Sequence, residues 1–160
     1  MKKRILALLL ALALLLANLC ALAEVLVEDG IAITETLLVE YGCDYTAPEE
    51  VALYLHVFEE LPPNYITKSD ARALGWDSSA GNLWDVAPGC SIGGDRFGNR
   101  EGLLPDGSWY ECDVNYEGGY RNAERLLFSD AGMICYSGDH YTSYEVLYEC
   151  WYYQEDSFIP

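Results

Sequence analysis

The chain has 160 residues, and its 9 Lys and Arg against 26 Asp and Glu give a formal net charge of −17. This length fits a single domain. Taken alone, the negative charge argues against a nucleic-acid-binding protein, because such a surface repels a polyanion. A zinc site is not expected either, since no C-x-x-C pair is present and His56 and His140 lie far apart.

The first 23 residues have the pattern of a signal peptide. Three cations at positions 2–4 precede a Leu- and Ala-rich run over 5–17, and ALA at 21–23 offers a small-x-small cleavage site. The run is short for a membrane anchor, and Leu19 argues against a lipoprotein acylated at Cys20. We therefore expect a secreted, extracellular protein, cleaved after Ala23 and without a membrane anchor. Cleavage removes three of the nine cations and none of the acids, which makes the net charge −20.

Cysteine usage agrees with export but does not fix a disulfide pattern. Five cysteines follow residue 23, so at most two bridges form and one thiol is left over. Our expectation is a Cys43–Cys150 bridge that joins the two ends of the domain. The five cysteines are Cys43, Cys90, Cys112, Cys135 and Cys150.

Helical patterns occupy the first half of the chain after the signal. We expect an N-terminal extension or pro-segment over 24–46, and the pattern of its first part, 24–41, is compatible with a hairpin, a pro-segment or a flexible extension. Thr46 and Glu49 have capping-box spacing, which predicts a helix that runs to the residues before Pro62. Thr67 predicts the start of a second helix, which ends at Gly75. A short third helix is expected around 82–86.

After Cys90, short apolar runs alternate with Gly-containing turns. This texture predicts an antiparallel meander of about five strands, and helices followed by strands indicate an α+β domain with two to three helices packed on one sheet. We expect the folded domain over 47–148 and an aromatic, acidic tail over 149–160. The predicted strands include 108–114, 126–129, 133–136 and 143–148.

Eight motifs follow one another in a fixed order from residue 64 to residue 141. Together they resemble the barnase–binase family of secreted bacterial guanyl-specific ribonucleases, from about Glu50 to Tyr148 with one short deletion near 105–108. The resemblance implies the microbial ribonuclease fold and an enzyme that needs no metal and no cofactor. The motifs are NYITKS (64–69), ALGW (73–76), VAPG (86–89), SIGGD (91–95), NREG (99–102), ECDVNY (111–116), RNAER (121–125) and DHY (139–141).

The resemblance assigns the acid–base pair to two of these motifs. Glu111 matches the general base that takes the proton of the ribose 2′-hydroxyl. His140 matches the general acid that protonates the departing 5′-oxygen, and histidine is the side chain best suited to exchange a proton near neutral pH. An exposed strand carboxylate and a solvated histidine are the structural alternatives.

Cations matching the family's phosphate site stand close to these groups in the sequence. Arg121 and Arg125 match the phosphate-binding pair, and a guanidinium fork fits phosphate oxygens. Lys68 matches the lysine that stabilises the transition state. We expect Asp113 to face the two arginines in a supporting role. Surface salt bridges are the alternative for the arginines.

Guanine recognition is implied for the loop 97–101. In the family, the glutamate matching Glu101 accepts hydrogen bonds from guanine N1–H and the exocyclic amine, while the neighbouring arginine, here Arg100, and backbone amides complete the site. Phe97 and Asn99 belong to the same loop. We expect Tyr141 to stack or pack near the base.

These assignments predict a monomeric endoribonuclease that cuts single-stranded RNA 3′ of guanosine through a 2′,3′-cyclic phosphate. The family also implies a barstar-like intracellular inhibitor as a partner. The alternative is a catalytically inactive, ribonuclease-like secreted binding module, which the charge and the many aromatic residues favour. Against it, each catalytic position that can be placed carries the expected residue type.

Overall fold

The computed structural model describes residues 26–28, 30–33 and 37–149. The predicted signal peptide over 1–23 and the tail from residue 150 lie outside the described residues. The expected Cys43–Cys150 bridge includes Cys150, so it also lies outside the described residues. In the described part of the chain, no helix is long and apolar enough to cross a membrane.

The elements follow one another as strands, helices and then strands again. Three helices lie between an N-terminal group of strands and a C-terminal series, and one two-residue strand separates the first helix from the second. The helices are α1 (Pro48–Phe58), α2 (Lys68–Ala73) and α3 (Leu83–Val86). The strands are β1 (Leu26–Glu28), β2 (Ile31–Ile33), β3 (Leu38–Glu40), β4 (Tyr65–Ile66), β5 (Ser91–Phe97), β6 (Trp109–Asp113), β7 (Arg125–Ser129), β8 (Ile134–Ser137) and β9 (Glu145–Tyr148).

The main sheet has six strands in the chain order β4 to β9. All neighbours are antiparallel except β4, which pairs in parallel with the start of β5. The α+β prediction is therefore confirmed, with the expected meander forming β5 to β9. The two-residue β4 at the edge is the addition, and it is too short to give an alternating pattern in the sequence.

Helix α1 packs on one face of this sheet and builds the principal core. Val51 and Leu55 are four residues apart, so they share a face of the helix. That face contacts Cys112, Leu126 and Ile134, which come from three successive strands. Because side chains alternate along a strand, the neighbours of Cys112 on β6 project from the opposite face of the sheet.

The N-terminal extension forms a three-stranded antiparallel sheet, β1 to β3. Val39 on β3 is fully buried and packs with Leu53 and Tyr54 of α1. Of the three alternatives for this segment, the hairpin agrees best with these strands. The extension therefore adds a second apolar layer to the outer side of α1.

The two predicted helix starts have different outcomes. Thr67 caps α2 as expected, because its hydroxyl accepts from the Asp70 amide at 3.1 Å. The capping box predicted at Thr46 is wrong: α1 starts at Pro48 with Ala47 as N-cap and without a side-chain capping bond. Instead, the Thr46 carbonyl accepts from the Asn115 amide at 2.7 Å, so this residue ties the start of the helix to the sheet.

Two buried cysteines lie on opposite faces of the main sheet. Cys112 pairs across the strands with Leu126, while Cys135 pairs with Leu127, the next residue of β7. Adjacent residues of a strand point to opposite faces. A bridge between Cys112 and Cys135 is therefore incompatible with this fold.

Candidate active site

Strand β6 presents two carboxylates on the face opposite α1. Glu111 and Asp113 are two residues apart, so they share that face, and Cys112 between them enters the core. Both carboxylates are buried, to 7% and 0% exposure respectively. Buried carboxylates require partners, and each of these two has its own set.

Glu111 lies between a cation and a phenol. Lys68, the first residue of α2, donates from Nζ to Oε1, and the Tyr141 hydroxyl donates to Oε2. Burial alone raises the pKa of Glu111, but these two hydrogen bonds and the charges of Lys68 and Arg121 outweigh it and hold the pKa below its ordinary value. Glu111 is therefore ionised at neutral pH, as a general base must be.

Asp113 holds both predicted arginines. Arg121 binds it with two parallel bonds, Nε to Oδ2 and Nη2 to Oδ1, both 2.6 Å long. The Arg125 Nε lies 3.0 Å from Oδ1 as an ion pair, although its N–H does not point along a hydrogen bond. Burial lowers the pKa of Arg121, but the hydrogen bond and the charge of Asp113 together outweigh burial, so the net shift of the pKa is upward.

A second contact fixes the guanidinium of Arg125 from the side of the preceding loop. Its Nη1 donates to the Glu124 carbonyl at 2.7 Å and to Asn122 Oδ1 at 3.2 Å. Asn122 also donates to the carbonyls of Val114 and Asn115. This asparagine therefore connects the arginine loop to the end of β6, a role that its place within RNAER did not reveal.

His140 lies in the loop between β8 and β9, as the sequence predicted. Its amide donates to the Ala123 carbonyl at 3.1 Å, which joins this loop to the loop that carries the arginines. The imidazole is exposed, and its ring centroid lies 4.8 Å from that of Tyr141. An open cleft of about 440 Å³ is lined by Ser78, Tyr120, Arg121, Asn122, Ala123, Arg125 and His140.

The predicted guanine loop joins this cluster through aromatic contact. The ring centroids of Phe97 and Tyr141 lie 5.0 Å apart. Asn99 uses its side chain inside the loop, where it donates to the Leu104 carbonyl at 2.8 Å and accepts from the Leu104 amide at 3.2 Å. Arg100 and Glu101 are exposed on the turn that follows.

Two contacts at this site lay beyond sequence reasoning. Tyr141 was expected near the base, and the structure places its hydroxyl on Glu111. Asp95 accepts from the Lys68 amide at 2.8 Å and so fixes the start of α2 beside β5. The only sequence signal for Asp95 was its position in the SIGGD motif.

The arrangement brings an ionised carboxylate, an imidazole and three cations into neighbouring loops and strand ends. Such a set can remove a proton, return one and stabilise charge on a phosphate. Among the described residues, no group of three or more His, Cys, Asp and Glu is arranged to hold a metal ion.

Known proteins share the part of the chain that carries this cluster. A family model described as ribonuclease matches residues 49–148. A ribonuclease of Heyndrickxia coagulans is 56% identical over 97 residues, which cover 59% of this chain and 89% of the relative. A ribonuclease of Bacillus intermedius has the same identity over the same length, covering 60% of the relative.

A more distant similarity carries a more specific name. The guanyl-specific ribonuclease St of Saccharopolyspora erythraea is 40% identical over 57 residues, which cover 33% of this chain and 56% of the relative. These matches confirm the resemblance inferred from the motifs. The chain belongs to the ribonuclease family.

Proposed function

We propose that the protein is a secreted endoribonuclease that cuts single-stranded RNA on the 3′ side of guanosine without a metal ion. The observation that carries the proposal is the environment of Glu111. This carboxylate is ionised, is held by Lys68 and Tyr141, and is close enough to Arg121 for that charge to lower its pKa. A base beside cations is what attack on a phosphodiester requires.

In the first step, Glu111 takes the proton of the ribose 2′-hydroxyl, whose oxygen attacks the phosphorus. His140 gives a proton to the departing 5′-oxygen, which leaves a 2′,3′-cyclic phosphate. Lys68, Arg121 and Arg125 stabilise the charge on the pentavalent phosphorus. In the slower second step water opens the ring, and Glu111 and His140 exchange roles. DNA is a poor substrate because it lacks the 2′-hydroxyl nucleophile.

Guanine is recognised by the loop that begins at Phe97. Glu101 accepts hydrogen bonds from the N1–H and the amine of the base, and Arg100 and Asn99 complete the site. Support comes from the exposure of Glu101 and from the contact of Phe97 with Tyr141, which links base binding to the catalytic carboxylate. The name of the Saccharopolyspora relative agrees with this specificity.

Export and an inhibitor belong to the same proposal. The basic, apolar and small-residue pattern of 1–23 supports secretion, and we propose that the secreted protein is a monomer. A barstar-like acidic inhibitor would protect the producing cell by covering the local cations. Because the enzyme is itself acidic, we expect its association rate to depend weakly on salt, and a steep salt dependence would contradict a merely local attraction.

The test is cleavage of a short end-labelled RNA that contains one G, in the presence of EDTA. We expect one cut after G with a cyclic phosphate end, lost in Glu111→Gln. An otherwise identical RNA with inosine in place of G tests the amine contact of Glu101. Absence of cleavage by folded protein would refute the proposed enzyme and favour a binding module, whereas cuts at every base would refute only the specificity.

A further inference from the structure

The loop that carries His140 has an unfavourable backbone conformation. His140 and Tyr141 are consecutive and both have positive φ values, 57° and 72°. Residues with a Cβ rarely adopt this left-handed backbone region, and two such residues in succession keep this conformation only where their surroundings enforce it. Some group in the loop must therefore hold this conformation.

Asp139, which precedes His140, is that group. Its Oδ1 accepts from the amides of Thr142 and Ser143, both at 2.9 Å. The Ser143 hydroxyl donates to Oδ2 at 2.7 Å, and the Ser137 hydroxyl donates to Oδ1 at 3.1 Å. One carboxylate thus receives four hydrogen bonds from both sides of the His140–Tyr141 pair.

Ser137 extends this network to the residue that touches the general base. Its oxygen accepts from the Tyr141 amide at 2.9 Å while its hydroxyl hydrogen serves Asp139. The serine is buried at 1% exposure, so its position is fixed by the end of β8. The hydrogen bond from the Ser143 hydroxyl, followed by that from the Ser143 amide, holds the pKa of Asp139 below its ordinary value, although burial opposes the shift.

We propose that Asp139 is a positioning residue that fixes the His140 loop so that the imidazole meets the departing 5′-oxygen. This inference rests on the proposed function, because it assigns His140 the role of general acid. Asp139 does not contact the reacting atoms; it acts through the backbone of the next two residues.

The experiment compares two substrates of the purified protein. The first is the dinucleotide guanylyl-3′,5′-adenosine, whose alkoxide leaving group needs a proton. The second is a guanosine 3′-phosphate ester of 4-nitrophenol, whose leaving group departs with little protonation. A general acid matters for the first substrate far more than for the second.

We expect Asp139→Asn to lower kcat on the dinucleotide by about 10²-fold, the scale of a misplaced catalytic group, with KM little changed. The aryl ester should be cut at nearly the wild-type rate. The double variant Asp139→Asn/His140→Ala should be no slower than His140→Ala alone, because both changes remove one function. Asp77→Asn is the matched control, since Asp77 also caps an exposed turn through a serine, Ser79, and should leave both rates unchanged.

Three results would overturn the inference: equal slowing on both substrates, rate losses that multiply in the double variant, or wild-type activity of Asp139→Asn. If His140→Ala itself keeps full activity on the dinucleotide, the proposed general acid falls and this inference falls with it. If His140→Ala is slow and Asp139→Asn is not, only the positioning role is lost. Should Asp139→Asn fail to fold, as judged by near-UV circular dichroism, Asp139→Ser replaces it and is read by the same comparison.

Discussion

Glu111 and Asp113 project from the same face of the same strand, yet their surroundings differ. Asp113 is completely buried and is bound by two guanidinium groups. Glu111 has one partner on each oxygen. Its cationic partner, Lys68, is partly exposed. The comparison separates a carboxylate that holds two arginines in the interior from one that lies beside a partly exposed cation.

The largest effect should come from Glu111→Gln, which keeps the size of the side chain and removes its basicity. We expect kcat/KM on RNA to fall by about 10²–10⁴-fold, the usual worth of a general base. Steady-state kinetics on the G-containing RNA measures this. Near-wild-type turnover would remove the distinction between the two carboxylates.

Asp113→Asn should act mainly on the fold. Arg125 is 3% exposed at its side chain, so loss of the charge of Asp113 leaves a buried cation poorly compensated. We expect the free energy of unfolding to fall by roughly 3–5 kcal/mol, as for other broken buried pairs. Urea unfolding provides the measurement.

The exposed turn carboxylate Asp106 is the control for this change, and Asp106→Asn should leave the urea midpoint unaltered. A loss in Asp113→Asn as small as that in the control would mean that the ion pairs with the two arginines contribute nothing net.

Tyr141→Phe tests the second partner of Glu111. The Tyr141 hydroxyl helps to keep the pKa of Glu111 low, so its removal should move the acid limb of the kcat/KM profile to higher pH. Folding lowers the pKa of Glu111 from its ordinary value of 4.5, so the ionised carboxylate stabilises the fold at pH values above 4.5. This contribution is lost as the pH falls through the lowered pKa of the folded protein. A pH profile with an unmoved acid limb would contradict the contact.

The smallest effect should come from Thr67→Ala, which removes the cap of the helix that presents Lys68. The free energy of unfolding should fall by about 1 kcal/mol, and Thr67→Ser, which keeps the hydroxyl, should restore it. Thermal unfolding of the two variants decides. Equal stability of the alanine and serine variants would show that the cap is dispensable.

Local patterns predicted those elements whose stabilising contacts are themselves local. The cap at Thr67 involves a residue three positions away, and the strands of the meander follow one another along the chain. Thr46 has an equally good local pattern, but its carbonyl binds Asn115, and its neighbour Tyr45 binds the side chain of Asn64. Contacts distant in sequence therefore decided the start of α1.

The same limit applies to the candidate site. The motifs identified its residues, and their types indicated a base, an acid and cations. The contact of Tyr141 with Glu111 spans 30 positions, and that of Lys68 with Glu111 spans 43. The pairing of β5 with β6, of β6 with β7 and of β7 with β8 brings such residues together. Strand register is not encoded in any one motif.

The back-to-back placement of Cys112 and Cys135 has a consequence for recovering the protein from the unfolded state. In the native sheet, burial raises the pKa of the Cys112 thiol well above its ordinary value, so little reactive thiolate is present. In an unfolded chain both thiols are accessible, and oxidation would join them in a disulfide. A chain with this disulfide cannot form the part of the sheet built from β6, β7 and β8. Oxidative refolding should therefore yield less active enzyme than refolding with a reductant that is removed only after the sheet has formed.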